Sequence, residues 1–157
     1  MLATVRLNRK RWSSIWMTDG SSVSDMIGSV PLFSGLDSKD RKAFAQSGKE
    51  RSYKEGEVVV SQGATGVGFF LVLEGVVEVR KGVKVLATLS RGDFFGEMSL
   101  LDNQPRTADV VAVKATRCFV LSAWSFSALI KTNPRMAMGM LKELVKRLRA
   151  AQSTPAE

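Results

Sequence analysis

The chain has 157 residues, of which 45% are apolar and 24% are charged, and its formal net charge is +8. This length and composition are typical of one soluble globular domain with residues left over at its ends, and they exclude a disordered chain. No apolar run approaches the roughly 18–20 residues that a membrane span needs, so we expect no transmembrane segment. The single cysteine, Cys118, excludes an internal disulfide and suits a reducing compartment, which we take to be the cytoplasm.

The sequence contains no histidine. A histidine-based triad, an imidazole general base and an ordinary zinc site are therefore excluded. Aspartate and glutamate do not cluster at the spacing of metal ligands either, so we expect no metal and no enzymatic activity. Cys118 lies in the apolar run CFVL and is expected to be a core residue.

The positive charge is concentrated near the two ends of the chain. Residues 1–16 carry four bases and no acid, residues 131–150 carry six bases and one acid, and residues 17–130 carry thirteen of each. The central body is therefore neutral, and we expect no binding of nucleic acid.

Residues 1–22 are interpreted as a basic extension that we expect to be flexible, with either Met1 or Met17 as the physiological start. The segment also holds Trp12 and Trp16. A weak contact of residues 1–16 with a membrane surface is the alternative interpretation.

The next residues, 23–49, are predicted to be helical. In LDSKDRKAFAQSG, Asp37 or Ser38 is expected to cap a helix that buries Ala43 and Phe44. This region opens a domain that we predict to span residues 23–152, with 153–157 as a polar tail.

Short strands separated by glycines follow. They are predicted at 57–61, 67–74, 76–81, 83–89, 110–113 and 118–122. Glu74-Gly75 and Lys81-Gly82 are expected to form hairpins. Strands of this number and spacing predict an antiparallel barrel or sandwich.

Helical periodicity returns after Ser122, which is expected to cap a helix over 122–132. A longer helix is predicted over 133–152, with Pro134 at its first position. Its apolar stripe comprises Met140, Leu141, Leu144, Val145 and Leu148. The chain thus predicts an α+β fold in which helices flank an antiparallel β structure.

The segment DFFGEMSLLDNQPRTADVV, residues 93–111, places an acid and a base in apolar surroundings. A helical turn that begins at Gly96 would direct backbone N–H groups at an anion, and the Arg106 guanidinium would bind phosphate oxygens in bidentate fashion. Glu97 can only accept hydrogen bonds and would take a hydroxyl donor. These groups together describe a ribose phosphate site. The alternative is that Glu97 and Arg106 pair with each other or lie on the surface.

The same segment closely resembles the phosphate-binding cassette of cyclic nucleotide-binding domains, such as those of protein kinase A regulatory subunits, catabolite activator proteins and cyclic nucleotide-gated channels. The upstream stretches VPLFSGLD, YKEGEVVVSQG and FFLVLEGVVEV follow the order found in that family. The resemblance covers roughly residues 23–150. It implies a jelly-roll-like antiparallel β-roll, flanked by N-terminal helices and C-terminal lid helices, that binds a cyclic nucleotide without chemistry.

The resemblance also implies roles for individual residues. Arg106 matches the arginine that pairs with the cyclic phosphate, and Glu97 matches the acid that accepts the ribose 2′-hydroxyl. The expected ligand-binding positions are Gly96, Glu97, Met98, Ser99, Arg106, Thr107 and Ala108. Val79 and Leu86 fall near positions that face the purine, and no aromatic residue is present in 133–152 to cap it, so Leu144 or Leu148 is the expected lid.

The resulting expectation is a stand-alone sensor that binds cAMP rather than cGMP, needs no cofactor, and signals to an unknown protein effector by movement of its C-terminal helix. We expect it to be a monomer or a weak homodimer. The alternative is a scaffold protein of the same fold that uses its basic termini to bind a partner or an anionic membrane.

Overall fold

The computed structural model describes residues 20–64 and 68–153, and its description of side chains begins at Val23. The predictions for residues 1–19, including the choice between Met1 and Met17 and the membrane-surface contact, lie outside the described residues. The first helix that the structure describes begins at Gly20, three residues before the predicted start of the domain.

The described residues contain five α-helices and eight strands. The helices are α1 (Gly20–Ser29), α2 (Ser38–Ser47), α3 (Glu97–Asp102), α4 (Ala123–Thr132) and α5 (Pro134–Gln152), with a 3₁₀ turn at Pro31–Phe33. The strands are β1 (Lys49–Tyr53), β2 (Val58–Val60), β3 (Gly68–Glu74), β4 (Val76–Lys81), β5 (Lys84–Ser90), β6 (Phe94–Phe95), β7 (Asp109–Ala112) and β8 (Thr116–Ser122). Of the helices between Gly20 and Ser153, none combines the length and apolar character that a bilayer crossing demands.

These elements form two compact units, one of residues 20–46 and 133–153 and the other of residues 47–132. In the first unit, the Phe33 and Phe44 rings lie 4.8 Å apart. Asp37 caps α2 by accepting a hydrogen bond of 2.8 Å from the backbone N–H of Asp40, as predicted. Phe44 is buried as expected, whereas the prediction for Ala43 is wrong, because its side chain is exposed on the face of α2 next to Phe44.

The second unit contains all the strands, arranged as two four-stranded antiparallel sheets in the orders β1-β8-β3-β6 and β2-β7-β4-β5. Valines and aromatic residues from both sheets form one shared core. Its buried members are Val60, Phe70, Val72, Val77, Phe95, Val110 and Cys118. The predicted α+β class with an antiparallel roll is therefore confirmed, as two packed sheets rather than one closed barrel.

The predicted hairpin at Glu74-Gly75 is wrong, because β3 and β4 belong to different sheets. Gly75 has a φ of +99°, and a Cβ there would lie 2.6 Å from the carbonyl oxygen of Ala115. A glycine is therefore required at this corner, where the chain passes between sheets. The hairpin at Lys81-Gly82 is confirmed, since Lys81 pairs with Lys84 across a two-residue turn.

Strand β1 was not predicted from the sequence, because KERSY lacks apolar alternation. This strand lies at the edge of its sheet beside β8, and four of its five residues are exposed. An edge strand needs backbone pairing but not an apolar face, so its hydrophobic pattern is weak.

The strands around the candidate segment determine where its residues lie. Strand β6 pairs with β3, which places Phe95 opposite Phe70 with their rings stacked at 4.8 Å. Gly96 follows directly after Phe95 and therefore lies beside Gly68, at the start of β3. Phe69 of β3 also stacks on Phe126 of α4, at 5.1 Å.

Candidate functional site

Arg106 is the charged residue on which the site is organised, and its side chain is only 6% exposed. Its Nη1 donates a hydrogen bond of 2.8 Å to the carbonyl oxygen of Gly96, and its Nη2 donates one of 2.8 Å to that of Gly68. The two carbonyls belong to segments far apart in the sequence, so the arginine joins the start of α3 to the start of β3.

The backbone of Arg106 is held as firmly as its side chain. Its N–H donates to the carbonyl of Ala64 at 2.9 Å, and its own carbonyl accepts from the N–H of Gly63 at 2.8 Å. The nearby N–H of Gln62 donates to Asp109 Oδ1 at 2.6 Å. The loop before β3 therefore fixes the backbone of Arg106, and with it the position of the guanidinium.

The guanidinium retains hydrogen-bonding capacity. It has five N–H groups, and the two carbonyls accept hydrogen bonds from two of them, one on each terminal nitrogen. Nε is buried and has no acceptor within the described residues. A buried donor without an acceptor costs about 1–3 kcal/mol, so an incoming anion that accepts from Nε–H would recover this energy.

Glu97 is the first residue of α3 and is almost completely buried, with 1% of its surface exposed. Burial lowers the pKa of Arg106, and the negative charge of Glu97 acts in the opposite direction. The two opposite charges are thus close enough to influence each other. The hydrogen bonds of Arg106 described above nevertheless go to backbone carbonyls, so the arginine is more than the partner of Glu97.

Gly96 makes this close packing possible. It caps α3 with a φ of +94°, in the left-handed region that glycine adopts without strain. A Cβ at this position would lie 2.6 Å from the carbonyl oxygen of Gly68 and 2.7 Å from Nη1 of Arg106. Any side chain here would therefore displace the arginine.

The other predicted ligand-binding positions lie along the same segment. Ser99 is half-buried in α3, and Ala108 is 8% exposed just before β7. Met98 is 61% exposed and Thr107 is also exposed. Gly96, Glu97 and Arg106 are thus brought together, and the assignment of ligand contacts to all seven positions stays a prediction.

The predicted purine-facing and lid residues lie outside the segment from Gly96 to Ala108. Val79 of β4 is half-buried against the shared core, while Leu86 is 49% exposed where β5 bulges opposite Val79 and Arg80. Leu144 is half-buried and Leu148 is 58% exposed on α5, in the other unit of the chain. Their roles as purine wall and lid stay predictions.

Sequence reasoning missed the contributions of Gly63, Ala64 and Gly68. Their backbone groups hold Arg106, so side-chain chemistry gives no sign of them. The available signal was the density of glycines in QGATGVG, just before β3. Cys118, by contrast, is a buried core residue as predicted, and burial raises the pKa of its thiol to about 12.

Comparison with known proteins adds independent findings. A family model described as the cyclic nucleotide-binding domain matches residues 50–133. A cAMP-dependent protein kinase regulatory subunit from Mycosarcoma maydis is 44% identical over 110 residues, which cover 64% of this chain and 21% of that protein. The chain thus spans about a fifth of that relative's length.

Solved structures show the same similarity. The catabolite activator protein of Thermus thermophilus is 35% identical with a TM-score of 0.71, over 78% of this chain and 60% of that one. A structure of cAMP-bound PfPKA-R is 28% identical with a TM-score of 0.72, over 85% of this chain and 47% of that one.

Proposed function

Because the chain belongs to the family of cyclic nucleotide-binding domains, we propose that its segment from Gly96 to Ala108 binds a cyclic nucleotide, with cAMP preferred over cGMP. Domains of this family are regulatory rather than catalytic. The observation that carries the proposal for the site is the buried Arg106 guanidinium, with its Nε–H still to be satisfied, beside the buried Glu97.

The phosphate is proposed to bind Arg106. Nε–H and the neighbouring terminal N–H form one edge of the guanidinium, which matches two oxygens of a phosphate. The carbonyls of Gly96 and Gly68 hold the guanidinium plane in place before the ligand arrives. Bidentate pairing in a site of low exposure supplies much of the affinity, and the fixed geometry lowers the entropic cost of binding.

The ribose is proposed to bind Glu97 through its 2′-hydroxyl. An ionised carboxylate only accepts hydrogen bonds, so it suits a hydroxyl and repels the phosphate. The positive charge of Arg106 and the negative charge of Glu97 favour each other in these buried surroundings. In this arrangement Glu97 binds the ribose end of the sugar phosphate and Arg106 binds the phosphate end.

The proposal also includes a preference for cAMP over cGMP. It is supported by the relatives described above, a cAMP-dependent kinase subunit and a cAMP-bound structure. Thr107 has an exposed hydroxyl next to Arg106 in sequence, and this hydroxyl could accept from the 2-amino group of a guanine. We therefore assign Thr107 a secondary role in cGMP binding.

Signalling is proposed to occur through α5. Helix α4 ends at Thr132 and α5 begins at Pro134, so Asn133 provides a short break between them, and the two compact units divide at the same residue. In this mechanism α5 has a closed position in which Leu144 or Leu148 covers the purine. The ligand increases the population of the closed position only to the extent that it binds that position more tightly than the alternative. The output to a protein effector in the cytoplasm belongs to the same proposal.

Calorimetric titration with cAMP and cGMP tests the proposal. A matched pair of ligands, cAMP and its 2′-deoxy form, is titrated into the wild type and into Glu97→Ala. The 2′-deoxy ligand should bind the wild type more weakly than cAMP does, and the difference should largely vanish in the variant. If the losses simply add, Glu97 is not the ribose partner, and absence of binding heat with either nucleotide would favour a scaffold that keeps the fold.

A further inference from the structure

The outward face of α5 carries apolar residues at the spacing of a helix-pairing seam. Met138, Leu141, Val145 and Leu148, here called the α5 seam, are 54%, 56%, 48% and 58% exposed. Their spacing of three, four and three residues is the a and d pattern of a heptad repeat. Of the stripe predicted from the sequence, Met140 is buried and Leu144 is half-buried, whereas Leu141, Val145 and Leu148, together with Met138, stay exposed among the described residues.

The helix that carries the α5 seam is anchored through its opposite face. Met136 and Met140 are 0% and 2% exposed. Gly139 approaches the 3₁₀ turn so closely that a Cβ would lie 2.9 Å from the carbonyl oxygen of Leu32. The α5 seam is thus displayed on a helix that is already folded, which removes the nucleation cost of an isolated peptide.

One border of the α5 seam is cationic at heptad spacing. Arg135, Lys142 and Arg149, here called the cationic flank, occupy three successive e positions and are all exposed. The g positions on the other border are Ala137, Leu144 and Ala151. Glu143 is the only acid in α5, and it pairs with Arg147 at 3.5 Å.

The residues at the e and g positions of α5 indicate which kind of helix can pair with it. In a parallel pair an e position faces a g position of the other helix, and in an antiparallel pair it faces an e position. A second copy of α5 would therefore set the cationic flank against alanine and leucine in one orientation and against itself in the other. Neither orientation supplies carboxylates to the cations.

We propose that the α5 seam docks an amphipathic helix of another protein that brings apolar a and d residues and acidic residues opposite the cationic flank. A membrane surface is disfavoured because the α5 seam is a narrow a and d stripe without Trp or Phe, whereas a helix that lies in the membrane interface has a broader apolar face that usually carries them. This interaction surface includes none of the residues proposed to bind the nucleotide phosphate and ribose, and it shares only Leu148 with the residues proposed to cover the purine.

The test uses the full chain and two synthetic three-heptad peptides with leucine at the a and d positions. One carries glutamate at both the e and g positions, and its matched partner carries glutamine there. Fluorescence anisotropy at low salt should show binding of the acidic peptide at least about tenfold tighter than that of the glutamine peptide. Equal affinity for the two peptides would overturn the proposal.

Two pairs of charge reversals locate the interaction. Lys142→Glu with Arg149→Glu should weaken binding of the acidic peptide at least about tenfold and create binding of a peptide with lysine at its flanks. Lys39→Glu with Lys42→Glu makes the same charge change at exposed positions of α2 and should leave binding nearly unchanged. Equal losses in the two double variants would show a nonspecific charge effect and reject the assigned surface.

The seam itself is tested by Leu141→Ser with Leu148→Ser, whose folding is checked by the melting temperature. Loss of peptide binding with an unchanged melting temperature supports the proposal. The proposal would be overturned if the wild type bound no peptide and instead self-associated in sedimentation, with the variant abolishing that self-association. Binding of the wild type to anionic vesicles without binding to the peptide would overturn it as well. The measurements need no nucleotide, so their outcome is independent of the proposed role of Arg106.

Discussion

The segment from Gly96 to Arg106 and helix α5 both combine charged and apolar residues, but they place them in opposite environments. In the segment, Glu97 and Arg106 are 1% and 6% exposed, and backbone carbonyls hold the guanidinium. In α5, the cations of the cationic flank and the apolar residues of the α5 seam are both exposed.

Buried and exposed charges suit different kinds of ligand. Burying an ion costs several kcal/mol even after relaxation, so it persists only where hydrogen bonds and an opposite charge compensate it, and the resulting site is fixed in shape. Exposed charges cost little and interact weakly one at a time, so they become selective only as a repeated pattern. The buried pair is therefore suited to one small anion, and the patterned helix to an extended partner.

The largest effect is expected for Arg106→Ala. The change removes a bidentate partner of the phosphate and should weaken cAMP binding by about 2–4 kcal/mol. It also leaves the carbonyls of Gly96 and Gly68 without their donor, so the melting temperature should fall. Calorimetry and thermal denaturation measure the two effects.

Arg80→Ala is the matched control for this change. Arg80 is half-buried on β4 and pairs with Glu78 at 2.6 Å on the same strand. Its removal should leave cAMP affinity nearly unchanged. Arg106→Lys should recover part of the affinity, because an ammonium keeps the charge but lacks the planar pair of N–H donors that binds two phosphate oxygens at once. An Arg106→Ala variant with wild-type affinity would show that the buried arginine is structural.

The second effect is expected for Gly96→Ala, compared with Gly56→Ala. Both glycines have φ near +90°, but only Gly96 has atoms within 4 Å of the Cβ position. Each variant should lose about 1 kcal/mol of unfolding free energy to backbone strain, and Gly96→Ala should lose about 1–2 kcal/mol more to the clash with Arg106. Denaturant unfolding measures both, and equal losses would show that the approach of Gly96 to Arg106 contributes nothing.

A smaller effect is expected if α5 also acts as the lid. Leu148→Ala should change cAMP affinity by about 1 kcal/mol through the packing of α5, whereas Val83→Ala, at a fully exposed hairpin position, should not. Hydrogen exchange should show its largest ligand-dependent change in residues 133–150. Protection confined to residues 96–108 would leave α5 as a docking helix alone.

The smallest effect is expected for Thr107→Ala. Its hydroxyl is one exposed hydrogen-bonding group, so its loss should weaken cGMP binding by about 0.5–1 kcal/mol and cAMP binding by less. Parallel titrations of the two nucleotides measure the difference. Equal losses would show that Thr107 does not contribute to selectivity.

Much of the fold and part of the site could be predicted because their signals are local. The alternation of Val77 and Val79 with Glu78 predicted β4, and the cap at Ser122 predicted α4, whose Ser125 N–H donates to the Ser122 hydroxyl at 3.1 Å. A short motif likewise singled out Glu97 and Arg106, because residue types and their order are readable without coordinates.

The amino-acid sequence by itself determined the strands with apolar alternation, the helix caps and the identity of the buried pair, since each depends on neighbours a few residues away. The tertiary structure alone decided that Gly75 leads from one sheet to the other, that KERSY forms an edge strand and that the carbonyl of Gly68 holds Arg106. It also decided that the side chains of the α5 seam are exposed in the part of the chain that the structure describes. These features depend on hydrogen bonds and burial between residues distant in sequence, whose energies are set only when the whole chain is folded.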